Sequence, residues 1–223
     1  MQNNKLKVAI VDYGSGNLKS VVSAFKMAAR MASIDCNVFV TNDPDDIRNS
    51  DKIVLPGVGN YSDCYKKLST IPNMLDSLDY AINTRLIHFL GICVGMQLLS
   101  SFSLEGKKSY GLNWIPGLVT RIPLSWNVRT PHMGWNQIKP TKLHFLFSTI
   151  SSNEFNHNAY FVHSYVYNPL SLSNVLATTS FSKNITVAIH KRNIVGIQFH
   201  PEKSHNFGIM FCKNFLLWSE KFN

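Results

Sequence analysis

The segment Phe89–Gln97, FLGICVGMQ, sets a thiol between two glycines directly after an apolar run. A structural core cysteine needs no glycine on either side. A cysteine on a sharp, exposed strand-to-helix turn does, because a β-carbon at the flanking positions would collide with the chain folding back. G-x-S-x-G elbows use this geometry to lift a nucleophile above a sheet. Leu86 to Leu90 supply the strand and Met96 to Ser101 open a helix, whose N-terminus would favour an anion and leave backbone N–H groups free for it. The competing reading is a small core cysteine beside a packing glycine, and the motif alone does not decide between them. On the elbow reading, the chain must build a sheet whose strand ends open onto one crevice.

The remainder of the first half supplies such a sheet. Lys7–Asp12, KVAIVD, is a β-branched apolar run ending in the turn Tyr13-Gly14-Ser15-Gly16. Leu18, Val21, Val22, Phe25 and Met27 then recur at roughly helical spacing, with Asn17 or Ser15 near the N-cap. Asn37–Val40 reads as a second strand and Asp43–Asn49 as a short helix. Lys52–Leu55 reads as a third strand, broken by Pro56-Gly57-Val58-Gly59, and Asn73–Thr84 as the helix before the elbow strand. This alternation predicts an α/β fold, a mostly parallel sheet with helices on both faces. From Gly117 the pattern becomes strand-rich: Leu118–Ile122, Tyr160–Tyr167, Val175–Thr179, Thr186–His190 and Ile194–Phe199, parted by turn signals such as Asn168-Pro169 and Lys183-Asn184. A last helix covers about Gly208–Ser219. With 223 residues and no repeat or linker, one domain over residues 1–223 is expected.

Composition removes several functions. The net charge of +9 invites a nucleic-acid reading, yet the basic residues are scattered, and no basic stripe with interleaved aromatics exists. Such a surface suits an acidic protein partner or anionic metabolites. Cys36, Cys64, Cys93 and Cys212 form no C-x-x-C pair, which argues against a zinc knuckle and a secreted disulfide framework. Met1–Lys7 is polar, and Leu86–Leu99 is too short to span a bilayer and carries His88 and Gln97. A cytoplasmic protein without membrane attachment is expected. Gly14-Ser15-Gly16 fails as a dinucleotide fingerprint because Lys19 stands where its third glycine belongs.

A cysteine nucleophile needs a base, and the base needs an orienting group. Gln198–Ser204, QFHPEKS, follows the strand Ile194–Phe199. If that strand lies beside the elbow strand, both C-terminal ends open onto the same crevice, where ligands of open α/β sheets bind. Pro201 then stops the strand, and Glu202 accepts the His200 N–H, fixing its tautomer. His200-x-Glu202 also resembles the H-x-E of zinc deaminases, but P-C-x-x-C is missing, and a metal trio with His205 has no supporting ligands. The two glycines of Pro56-Gly57-Val58-Gly59 let a backbone N–H swing toward a developing oxyanion, and the residue after Cys93 offers another. An ordinary turn is the competing reading there.

Together GICVGMQ, PGVG and QFHPEKS resemble the class I (triad) glutamine amidotransferases. DYGSGN, LPGVGNY, PHMGWNQ, YFVHSY and FHPEKS are similar, more narrowly, to the glutaminase subunits of imidazole glycerol phosphate synthase, over about Val8 to Phe215. The resemblance implies that Cys93 is the nucleophile, His200 the general base and acid, and Glu202 its orienting carboxylate. It implies an oxyanion hole from the Val94 N–H and the backbone at Val58. Gly57, Gly59, Gln97 and His163-Ser164-Tyr165 would hold L-glutamine. The thiolate would release ammonia and leave a γ-glutamyl thioester for water, with no metal or organic cofactor. Ammonia would cross a heterodimer interface into a (β/α)8-barrel synthase subunit, faced by Asn17, Trp135, Tyr160 and Lys203. Some residues depart from this pattern. Val94 stands where leucine is more frequent, and His88 where proline is common. These, with GLNWIPG at Gly111–Gly117 and the histidine after FHPEKS, look like a paralogous branch that feeds sugar amidination in surface-glycan synthesis. A stand-alone Cys-His-Glu γ-glutamyl hydrolase is a further alternative, opposed by Gln97 and PHMGWN.

Overall fold

The computed structural model describes residues 5–148 and 157–219, and its first half alternates strand and helix. β1 (Leu6–Val11) leads to α1 (Leu18–Met31), β2 (Cys36–Thr41) to α2 (Pro44–Arg48), and β3 (Lys52–Gly57) to α3 (Tyr61–Thr70) and α4 (Met74–Asp79). α4 runs into a π-turn over Tyr80–Thr84, after which β4 (His88–Cys93) meets α5 (Val94–Gln97). The second half adds β5 (Phe102–Ser103), β6 (Ser109–Tyr110), β7 (Gly117–Arg121), β8 (His132–Gln137), β9 (Lys139–Pro140) and α6 (Phe145–Ser148). β10 (Asn158–His163), β11 (Tyr165–Pro169), β12 (Val175–Phe181), β13 (Lys183–Lys191), β14 (Ile194–Ile197) and α7 (His205–Leu217) follow.

Among the described residues the main sheet has eight strands in the order β2-β1-β3-β4-β14-β13-β12-β9. From β2 to β14 every pairing is parallel, and β13, β12 and β9 join antiparallel. β1, β3, β4 and β14 are near-continuous apolar runs with Val8–Val11, Ile53–Leu55, Phe89–Leu90 and Ile194–Val195 buried, as strands covered on both faces require. α1 packs its buried face of Val21, Ala24, Phe25 and Ala28 near α7, where Phe25 meets Phe215 edge-on at 6.0 Å. Registers Gly57↔Cys93 and Ile92↔Ile197 bring the C-terminal ends of β3, β4 and β14 side by side. The crevice that the elbow requires therefore exists.

The structure differs from the sequence reading in several places, among them the elbow helix, which is Val94–Gln97 and not a helix opening at Met96 to Ser101. The elbow strand starts at His88 and continues to Cys93, because Leu86 sits at φ 57° in the left-handed region and cannot belong to a strand. Tyr160–Tyr167 is two strands interrupted at Ser164: β10 pairs with β8, and β11 with β7 in another sheet. α3 was hidden by its polarity, YSDCYKKLST, although Tyr61, Cys64 and Leu68 bury one face and Asn60 caps it by accepting the Ser62 and Asp63 N–H groups. β8 lies in PHMGWNQ, for which the sequence reading gives no element, its inward face of His132, Gly134 and Asn136 offering no apolar alternation.

Candidate active site

The two glycines around Cys93 answer to sterics. A β-carbon on Gly91 would stand 2.5 Å from the Gly95 carbonyl oxygen, and one on Gly95 only 1.9 Å from the Leu55 carbonyl oxygen. Cys93 itself adopts φ 56°, ψ −111°, a backbone state that costs a non-glycine residue about 1–3 kcal/mol. The surrounding strands hold it there. The turn is less open than the sequence reading expects: Cys93 is 4% exposed and lines a cavity rather than a surface. α5 is also a single turn, Val94–Gln97, so the dipole at its start is small.

His200 and Glu202 lie on the turn after β14. His200 Nδ1 is 2.8 Å from Glu202 Oε1, both side chains are buried, and the carboxylate accepts the Nδ1–H. Nε2 is left facing the cavity, with no hydrogen bond of ordinary length. Burial works against a charged His200. The nearby Cys93 sulfur and Glu202 carboxylate outweigh it and raise its proton affinity well above that of a free histidine. The turn is stapled to β10: His200 N–H donates to the Tyr160 carbonyl, Ser204 Oγ donates to the His200 carbonyl at 2.6 Å, and the Tyr160 N–H donates to Ser204 Oγ.

A second group of polar side chains surrounds the sulfur. Gln97 Nε2 donates to Gln198 Oε1 at 3.0 Å and to the Tyr165 carbonyl at 3.4 Å, and Gln198 Nε2 lies 3.6 Å from Cys93 Sγ. The Tyr165 carbonyl also accepts from His163 Nδ1 at 2.8 Å. That bond leaves His163 Nε2 as an acceptor for His132 Nδ1–H at 2.9 Å, and His132 Nε2 as an acceptor for Asn136 Nδ2 at 3.2 Å. Burial pushes His132 down to about 4 and His163 to about 3, so both rings are neutral links.

The Val58 backbone is tied to Ser15. Its N–H donates to Ser15 Oγ at 3.1 Å, and the same hydroxyl donates to the Val58 carbonyl at 2.8 Å. The N–H expected to serve an oxyanion is thus engaged elsewhere in this conformation. Sequence reasoning offered Ser15 only as a cap; Asn17 is the residue that caps α1, accepting from the Ser20 N–H.

Cys93, Val94, Gln97, Ser164, Tyr165 and His200, with Val58 and Gly59 at the rim, share one cavity of about 330 Å³. This falls at the small end of the range for small-molecule sites, about 300–1,000 Å³. Gly57 lies behind it, paired with Cys93. A larger apolar cleft of about 700 Å³, lined by Leu143, Phe147 and Trp218 among others, contains no thiol. Trp135, half exposed, stacks on His205 with ring centres 4.9 Å apart and meets Tyr160 edge-on, while Lys203 Nζ sits 5.6 Å above the Tyr160 ring. Asn17 stands apart from that cluster. The first turns of its helix, at Lys19 and Ser20, line a shallow groove with Glu202.

Elbow, base and cavity belong to one class of protein. The family profile Glutamine amidotransferase class-I matches residues 9–217, and the chain belongs to that family. A solved glutamine amidotransferase superposes with a TM-score of 0.68 at 15% identity, covering 94% of this chain and 97% of its own, which shows the shared fold. Within the class the chain is similar to proteins named imidazole glycerol phosphate synthase subunit HisH. The Agrobacterium fabrum protein is 44% identical and that of Brucella melitensis biotype 1 is 42% identical, each over 96% of this chain and 99% of the relative.

Proposed function

We propose that this chain is the glutaminase of a heterodimer, releasing ammonia from L-glutamine for a (β/α)8-barrel synthase (cyclase) subunit that forms imidazole glycerol phosphate and AICAR in histidine biosynthesis. The observation that carries this reading is the meeting of the Cys93 elbow with the buried His200–Glu202 pair in one small cavity, in a chain similar to HisH proteins along its length. His200 takes the thiol proton and Sγ attacks the side-chain carboxamide carbon. The oxyanion is met by the Val94 N–H and, once freed from Ser15, the Val58 N–H. Imidazolium then protonates the departing nitrogen, and ammonia leaves a γ-glutamyl thioester. Water, deprotonated by His200, cleaves it to glutamate and restores the thiol. Gln97, Ser164 and Tyr165, with the backbone at Gly59, hold the substrate, while Gly57 only backs the elbow, and no step calls for a metal or organic cofactor. Asn17, Trp135, Tyr160 and Lys203 face the barrel subunit, with no role for nucleic acid.

The names of the relatives favour the histidine branch over sugar amidination or a stand-alone hydrolase. The reading takes residues 1–223 as one cytoplasmic domain; among the described residues, no helix is long and apolar enough to cross a membrane. The test is glutamate release by the reconstituted heterodimer. Cys93→Ala is expected to abolish it while ammonia-driven synthesis by the complex persists, and His200→Ala to slow it by roughly a hundred- to ten-thousandfold. Normal turnover by Cys93→Ala would remove the mechanism. Activation by a sugar-pathway barrel, and not by the histidine-pathway one, would move the chain to the other branch.

A further inference from the structure

Gln198 is fully buried one residue past β14, and its N–H is bonded to the Val187 carbonyl on β13 at 2.9 Å. Its amide has only one consistent orientation. The Tyr165 carbonyl is purely an acceptor, so Gln97 must turn its NH₂ toward it; the same NH₂ then meets Gln198 on its oxygen side. What remains to face the Cys93 sulfur at 3.6 Å is the Gln198 NH₂, a donor. A buried donor with no stronger acceptor beside it favours a negatively charged sulfur. We propose that Gln198 is a further catalytic residue of this site, its Nε2–H holding the Cys93 sulfur as a thiolate aimed into the cavity and tying it through Gln97 to the substrate-binding wall. This rests on the proposal that Cys93 is the nucleophile. During attack the sulfur loses its charge to the oxyanion, so the Gln198 bond is strongest before bond formation and weakens as the thioester forms. Its contribution is to keep a reactive thiolate ready and pointed.

The other ionisable groups around Cys93 are His200, backed by Glu202, on the turn after β14, Tyr13 just past β1, Cys64 on α3, and, across the cavity, Glu105, Tyr165 and the neutral His163. Burial holds Tyr13 and Cys64 in their neutral forms at neutral pH. None of these groups is altered by a change at Gln198, which makes the residue separable. The experiment is alkylation of the full chain by iodoacetamide, without glutamine, followed at Cys93 by peptide mass across a pH series. Gln198→Met, which keeps length and removes the donor, is expected to move the rise of rate with pH about one unit higher, roughly a tenfold loss on the rising limb. Gln198→Leu, which removes the donor and adds no charge, is expected to move it by a similar amount. Thermal melts establish that each variant is folded, and the Leu variant decides the matter if Met does not fold. Curves that superimpose on wild type in folded variants overturn the proposal. Because no glutamine is used, the result stands independently of whether the glutaminase reading holds.

Discussion

At Gly95 the atom that blocks a side chain is backbone, the Leu55 carbonyl oxygen, so no change of rotamer can make room. Gly95→Ala is therefore expected to shift β3 against α5 and destabilise the protein by about 3 kcal/mol, the upper end of overpacking costs, with loss of the elbow geometry; urea unfolding and Cys93 alkylation together would read both effects. A stability within experimental error of wild type would contradict the packing seen here. His200 offers a separate check on charge. Burial opposes its protonation and two partners favour it, Cys93 and Glu202. Removing the sulfur leaves Glu202 alone against burial, so NMR titration of Cys93→Ala should show His200 gaining its proton at clearly lower pH than in wild type. An unmoved titration would mean the sulfur does not face Nε2. The elbow glycines, Cys93 and the His200-Pro201-Glu202 turn were legible in the sequence because each forms a short contiguous motif, even where, as at Gly95, the atom that demands the glycine is distant in the chain. Gln198 and Ser15 were not. Their partners lie 105 and 43 positions away, and only the register of β14 on β4 and the turn after β1 bring them together.

The strands of the parallel core announced themselves as β-branched runs, whereas elements with mixed exposure did not. β8 alternates between buried and exposed residues, and its inward His132 reads as polar until its partner His163 on β10 is placed opposite. That pair makes a prediction at the scale of the hairpin. His163 binds its proton near pH 3 in the fold but near 6.5 when unfolded, so the unfolded state holds more protons between those values. The contribution of His163 should then be full above about pH 6.5 and be lost as pH drops toward 3, with a slope approaching about 1.4 kcal/mol per pH unit. His200, shifted the opposite way, is protonated in both states below about pH 6.5 and adds no slope there. Urea unfolding at a series of pH values should show a steeper acid loss in wild type than in His163→Gln. Parallel curves would mean that the buried rings are not held neutral. The turn after β3 carries a second prediction. Ser15 Oγ holds both the N–H and the carbonyl of Val58. Ser15→Ala should loosen that turn and raise glutamine hydrolysis by the isolated chain, measured as glutamate release; no change would show that Ser15 does not restrain it.

At the scale of the molecule, the sheet connects two ends of the same mechanism. The cavity lies where β3, β4 and β14 finish, and the Trp135–Tyr160–Lys203 cluster stands on the hairpin and turn that position His200. Tyr160 belongs to both: its ring carries Lys203, while its carbonyl accepts the His200 N–H. On the proposed function, a partner docking on that cluster would act on the strand that holds His200. On the opposite, inward face of β8 the hydrogen-bond chain Asn136–His132–His163 reaches the Tyr165 carbonyl and, through Gln97 and Gln198, the sulfur. Docking is expected to favour an arrangement of the Val58 turn in which its N–H leaves Ser15 and turns toward the oxyanion, and a partner produces that shift only by binding the second arrangement more tightly. The isolated chain is accordingly expected to hydrolyse glutamine at a small fraction of its rate in the heterodimer. Addition of the barrel subunit with its acceptor bound should raise kcat far more than it lowers KM, because the interaction gained is made with the oxyanion and not with bound glutamine. Trp135→Ala and Lys203→Ala should weaken this activation while leaving Cys93 alkylation in the free chain unchanged. Glutamate release measured with and without the barrel decides it. Equal rates in both would mean the turn is no switch, and the chain would then act as a hydrolase without need of a partner.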